Sequence, residues 1–158
     1  MEALVSTYAK LRSPLSRVGP WAPTFLRVVL GLTMFWHGYK KFDDGLDVYE
    51  DFFRSIGIPA AGIMTPITAV LEFVGGLLIV AGAATRLLSL LFIVQLVVAV
   101  IKAKYGRDIG FIGSGTAGAE LDWTLIAGFV MLAVGGPGPF SADAKLGLER
   151  TERPSVGV

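Results

Sequence analysis

Glu72 is the side chain whose setting most demands a chemical explanation. It lies inside the apolar run Ala69–Arg86, which belongs to a stretch long enough to cross a bilayer. A charge at the bilayer centre costs at least ~2.5–3.5 kcal/mol, so it faces a partner or a cavity rather than lipid. His37 is the single histidine, and it sits in another apolar stretch beside Trp36, Lys40 and Lys41. Gln95 and Lys102 stand seven residues apart in a third stretch, close to two helical turns, which predicts that they share a face. Glu120, Asp122 and Trp123 open a fourth.

These residue types suit a particular chemistry. An imidazole exchanges a proton with a carbonyl or phenol near neutral pH, and a carboxyl taken out of water holds its proton more readily. With lysines and aromatic walls they fit a small redox-active ring such as a quinone, or a proton relay. Glu72 and His37 are the candidate catalytic residues. Lys41, Gln95, Lys102, Glu120, Trp36 and Trp123 are the candidate ligand-binding residues. Lys40, Lys41 and Lys102 nearly balance Glu72, Glu120 and Asp122, as a half-buried network requires. Plainer readings stand beside these. Lysines at span ends snorkel to headgroups, Glu120 and Asp122 are first-turn acids, and Trp36 and Trp123 are interfacial belt residues. Neither Glu72 nor His37 can snorkel far, so they carry the functional reading, with His37 and Lys102 the expected partners of Glu72.

Composition bounds the alternatives. The chain has 158 residues, 53% of them hydrophobic, with a net charge of +1. Its mean hydropathy of +0.64 is that of a chain living mostly in lipid. The charge gives no footprint for nucleic acid. With no cysteine, thiol chemistry, thiolate metal sites and disulfides are excluded, and one histidine argues against a protein zinc site.

The elements that must position these groups form an all-α integral membrane protein. We expect four transmembrane helices, at about 21–42, 60–84, 87–103 and 120–134, in a single bundle across residues 21–140. Pro23 suits the first turn of span one, Gly31 and Gly38 allow close helix approach, and Pro66 is placed to kink span two. Thr85-Arg86 reads as a tight turn that makes spans two and three antiparallel neighbours. Between spans one and two, Val48, Phe52, Phe53 and Ile56 recur at helical spacing among acidic residues. They predict an amphipathic interfacial helix within 43–59, closed by Gly57 and Pro59. Residues 1–20 read as an amphipathic or flexible segment, 104–119 as a glycine-rich loop and 141–158 as a polar tail. Lys10, Arg12 and Arg17 before span one, with Arg86 between spans two and three, place both termini in the cytoplasm.

Several of these residues also resemble a known family. Arg27-x-x-x-Gly31 is followed by Phe35-Trp36-His37-Gly38-x-Lys40-Lys41-Phe42. Glu72-x-x-Gly75-Gly76-Leu77-Leu78 is followed by Gly82-x-x-Thr85-Arg86, and Gly136-Pro137-Gly138-x-x-Ser141-x-Asp143 closes the pattern. In order and spacing they resemble the DoxX family of small four-span bacterial membrane proteins over roughly residues 25–145. Span three, around Gln95, carries no strong family signature. The resemblance implies a helical bundle in the cytoplasmic membrane, with relatives that include a membrane subunit of thiosulfate:quinone oxidoreductase. No motif for a covalently bound cofactor is present, so electrons would come from a bound small molecule or a partner. Three functions follow as expectations. The first is redox-linked binding of a quinone or similar ring, alone or as an oxidoreductase subunit. The second is a non-catalytic scaffold for a soluble oxidoreductase partner or a homo-oligomer. The third is a small proton-coupled carrier.

Overall fold

A computed structural model describes Met1 and residues 18–113 and 115–149. The amphipathic segment expected near the N-terminus falls almost wholly outside the described residues. Among the described residues the regular structure is helical throughout. Helix α1 spans Ala22–Asp43, with Pro23 in its first turn and Lys40 and Lys41 in its last, where cations oppose the helix dipole. Helix α2 is Leu46–Ser55. Helix α3 runs from Ala61 to Ala81 and α4 from Thr85 to Arg107. Helix α5 is Glu120–Gly135 and α6 is the short Ala142–Lys145.

Helices α3 and α4 are each long and apolar enough to cross a membrane. Of the four expected spans, these two carry the signal by themselves. Helix α1 has the length, with 22 residues, but Arg27, His37, Lys40 and Lys41 dilute its apolar run. Helix α5 has 16 residues, which reach ~24 Å. The tight turn lies one step earlier than expected. Gly82 and Ala84 take the left-handed backbone (φ 73° and 50°), and Thr85-Arg86 already forms the first turn of α4. Helix α4 also continues to Arg107, into what reads as loop.

One apolar cluster joins the four long helices. Leu30 and Met34 of α1, Ile79 of α3, Phe92 and Leu96 of α4, and Phe129 and Leu132 of α5 are buried in it. Phe92 and Phe129 stack with centroids 4.9 Å apart. The backbones of α1 and α3 approach each other closely. A Cβ on Gly38 would lie 2.3 Å from the Phe73 amide nitrogen, and one on Gly76 would lie 2.5 Å from that of Phe35. Both positions therefore need glycine, as small residues at helix crossings generally do.

Candidate functional site

The Gly38–Phe73 contact determines what lies beside Glu72. Lys41 follows Gly38 by three residues on the same helix face and so reaches the α3 surface at Glu72. There Lys41 Nζ pairs with Glu72 Oε2, and both residues are buried, at 7% and 4% exposure. Gln95 Nε2 of α4 donates to the other carboxylate oxygen, Oε1. Glu72 itself sits in a π turn, Leu71–Gly75. Such a turn adds a residue to the helical repeat and is frequent at functional sites.

The buried pair and half-buried Gln95 form part of the wall of a cavity of about 520 Å³. That volume falls within the ~300–1,000 Å³ typical of small-molecule sites. Tyr49, Phe52 and Phe53 of α2 contribute an aromatic wall. Tyr49 is tied in place on two sides: Lys41 Nζ lies 5.3 Å from its ring centroid, and its hydroxyl donates to Asp44 Oδ2 at 2.9 Å. Burial, then the hydrogen bond to Asp44, pushes the Tyr49 phenol up to about 12. Asp44 is held below the usual carboxylate range by its hydrogen bonds from Lys40 and Tyr49. The Arg107 guanidinium, at the end of α4, lies 5.5 Å from the Phe52 ring centroid and links α4 to α2.

The remaining candidate residues divide. His37, one turn before Lys41 on α1, lines the cavity and is exposed. Its expected bond to Glu72 is absent, since Lys41 and Gln95 take both carboxylate oxygens. Lys102 is exposed and is not part of the cavity wall. The expectation that it shares a face with Gln95 assumed an unbroken α-helix. A second π turn, Val100–Lys104, changes the register and brings Ala103 and Lys104 to the cavity instead. Glu120, Trp36 and Trp123 are likewise not part of the cavity wall. Glu120 stands in the first turn of α5, Trp36 packs edge-on against Phe35 and Tyr39, and Trp123 Nε1 donates to Tyr105 Oη at 3.3 Å.

Sequence reasoning left Lys104 at the start of a loop and set Asp122 between a first-turn acid and a member of the charge network. Both line the cavity, with Lys104 Nζ 3.9 Å from Asp122 Oδ2 and donating to the Ala117 carbonyl at 2.7 Å. It also passed over Tyr49 and assigned Phe52 and Phe53 to a lipid interface. Their helical spacing on an amphipathic segment was the available signal, and a periodic apolar stripe does not say whether lipid or a cavity lies opposite it.

A second polar cluster closes the other end of the molecule. Asp143 accepts from the backbone N–H groups of Ala84 and Thr85, at 2.8 and 2.9 Å, and so caps α4 from a distant part of the chain. Buried Arg27 donates to the Phe140 carbonyl at 2.7 Å. Arg86 donates to the carbonyls of Ala133 and Val134, at 2.6 and 2.8 Å. The start of the expected polar tail is therefore docked, with Asp143 4% exposed. This knot assembles residues from all three sequence patterns quoted above.

The comparisons now bear on this geometry. The DoxX family model matches residues 22–104, more than half of the chain. The chain belongs to the DoxX family. The matched DoxX region runs from the start of α1 into the second π turn of α4 and includes Lys41, Glu72 and Gln95. A relative in Bacillus subtilis (strain 168), named "Putative oxidoreductase CatD", is 37% identical over 111 residues, which are 70% of this chain and 76% of that protein. The "Uncharacterized membrane protein Rv3486" of Mycobacterium tuberculosis is 30% identical over 140 residues, 84% of this chain and 86% of that one. No solved structure matches the chain significantly. The protein is thus a membrane protein of the DoxX family, in keeping with the length and apolar character of α3 and α4.

Proposed function

We propose that this DoxX protein binds a quinone or a similar small ring in the α1–α4 cavity and takes part in membrane redox chemistry, alone or as a subunit of an oxidoreductase complex. In this reading α1, α3, α4 and α5 are four spans of a bundle in the bacterial cytoplasmic membrane. Helix α2 lies at the interface and both termini are cytoplasmic. The observation that carries the proposal is the buried Lys41–Glu72 pair, bonded to half-buried Gln95, in the wall of an aromatic-sided cavity of about 520 Å³. The oxidoreductase name of the Bacillus relative supports the redox part.

The donor set fits such a ring. Gln95 Oε1 is buried and has no hydrogen-bond partner among the described residues, an unusual state for an interior polar atom. It can accept from a ring hydroxyl. An ammonium has three donors, so Lys41 keeps N–H groups for a ring carbonyl while Glu72 holds it in place. A quinone, when bound, takes up two electrons and two protons. Lys41 and Glu72 supply a polar end that orients the ring and stabilises charge developing on its oxygen. His37, exposed at the cavity wall, is placed to exchange protons with solvent. Tyr49, Phe52 and Phe53 flank the ring and keep water away.

The scaffold reading is favoured by one observation, that Glu72 is fully satisfied inside the protein. A tightly paired trio without a cavity would suit that role better. Binding of a short-chain quinone to the protein in nanodiscs separates the two. The proposal expects saturable binding that the doubly neutral Lys41→Gln, Glu72→Gln variant loses. The scaffold reading expects none in either.

A further inference from the structure

Along one seam the residues of the cavity wall are also exposed. Helices α3 and α4 meet near their shared turn, where Phe92 and Leu88 pack on Gly75. Beyond that point residues 61–70 pack chiefly on α1 and α2, while α4 packs chiefly on α5. The Gln95–Glu72 hydrogen bond bridges the two helices close to where they part. Four side chains flank the gap above it: Met64 on α3, and Leu91, Val94 and Val98 on α4. Each lines the cavity and is exposed, at 37%, 43%, 63% and 41%. All four are apolar, and they lie on the two helices whose length and composition suit a membrane. Among the cavity's charged and hydrogen-bonding groups, Thr68 alone lies in residues 61–70, and Lys41, Glu72 and Gln95 are joined to one another.

We infer that this α3–α4 seam is a lateral portal through which the ligand comes from the lipid phase. The ligand is therefore an amphiphile, with a polar ring seated against Lys41, Glu72 and Gln95 and an apolar tail leaving between Met64, Val94 and Val98. The inference rests on reading the cavity as a ring site. Three physical points carry it. First, a rim built wholly of apolar side chains favours a hydrocarbon chain over water, because unpaired polar groups there would be costly. Second, the cavity holds the liquid volume of roughly 17 waters at ~30 Å³ each, more than a bare six-membered ring fills, so the first carbons of a tail fit inside. Third, small-molecule sites are mostly apolar with a few convergent polar groups that fix orientation. Here Lys41, Glu72 and Gln95 converge on one spot of the wall, which sets where the ring end of the ligand seats.

The test uses the full chain in nanodiscs and two probes with one benzoquinone headgroup. One probe is tail-less, and the other carries a decyl tail with a photoreactive diazirine on its first carbons. The variants are Val94→Trp and Val98→Trp, which add bulk at lipid-facing positions, with thermal melts confirming that they fold. Photolabelling is expected at Met64, Val94 or Val98, displaced by excess unlabelled tailed quinone. Each tryptophan is expected to weaken the tailed probe by about tenfold or more through overpacking of the seam, and to weaken it more than the tail-less ring. If the label spreads over the lipid-facing surface without competition and the tryptophans change nothing, the portal is wrong. Should the tail-less ring still bind in that case, and bind dependent on Lys41 and Glu72, the ring site stands without it. If neither probe binds the parent protein, the ring reading fails and the portal falls with it.

Discussion

Glu72 and Lys41 are buried together, and the consequences for stability follow from what each leaves behind. Breaking a buried pair by neutralising one member strands the other charge and costs ~3–5 kcal/mol, whereas replacing both is often close to neutral. Glu72→Gln should therefore lower the thermal midpoint of the protein in detergent sharply, with Lys41 left as a lone buried cation. Adding Lys41→Met should restore most of the loss. Equal midpoints for the single variant and the parent would mean that the pair does not form. Tyr49 gives a residue-scale prediction in pH. Its phenol is raised from 10.0 to about 12, chiefly by burial. The folded state thus keeps this proton where the unfolded chain has lost it. The resulting stabilisation is whole below pH 10 and declines as pH climbs through about 12. The ultraviolet difference between the parent and Tyr49→Phe should show phenolate appearing near pH 12 rather than 10. A midpoint near 10 would show an exposed ring.

At the scale of elements, Gly38 and Gly76 matter because they let the α1 and α3 backbones touch. Gly38→Leu should force the helices apart, carry Lys41 away from Glu72 and reproduce the instability of Glu72→Gln. The same change at Gly57, a turn position with open space around it, should cost less, through backbone strain alone. Equal losses at both sites would argue that the α1–α3 approach is not special. These glycines were legible in the sequence as small residues in apolar runs, and so was the helix between α1 and α3. Lys102 was not, because nothing in Val100–Lys104 marks the π turn that changes its register. The partnership of Glu72 with Lys41 was missed for a related reason. Spacing along one helix gives faces, but the crossing of α1 over Phe73 decides which α1 residue comes within reach. Asp143 read as tail because a cap supplied to another helix 58 residues away leaves no local pattern.

In the whole molecule a proposed membrane bundle holds a proposed ligand site, and the two can be tested apart. The chain has no cysteine, so single cysteines can be introduced at will for topology. Cysteines placed at Gly57 and Gly110 should label from the periplasm with a membrane-impermeant maleimide in intact cells. One at Gly147 should label only after the cells are opened. Labelling of Gly147 from outside would reverse the orientation, and labelling of Gly57 and Gly110 on opposite sides would rule out four spans.

The central claim is that a ring carbonyl meets the Lys41–Glu72–Gln95 end of the cavity, and infrared difference spectroscopy addresses it most directly. With a tail-less benzoquinone carrying an isotope label in one carbonyl, the protein in nanodiscs should shift part of the carbonyl stretch to lower frequency on saturable binding. The shifted band should vanish in the Lys41→Gln, Glu72→Gln variant. A carbonyl band identical to that of quinone in protein-free nanodiscs, at concentrations where lipid partitioning is complete, would contradict the account.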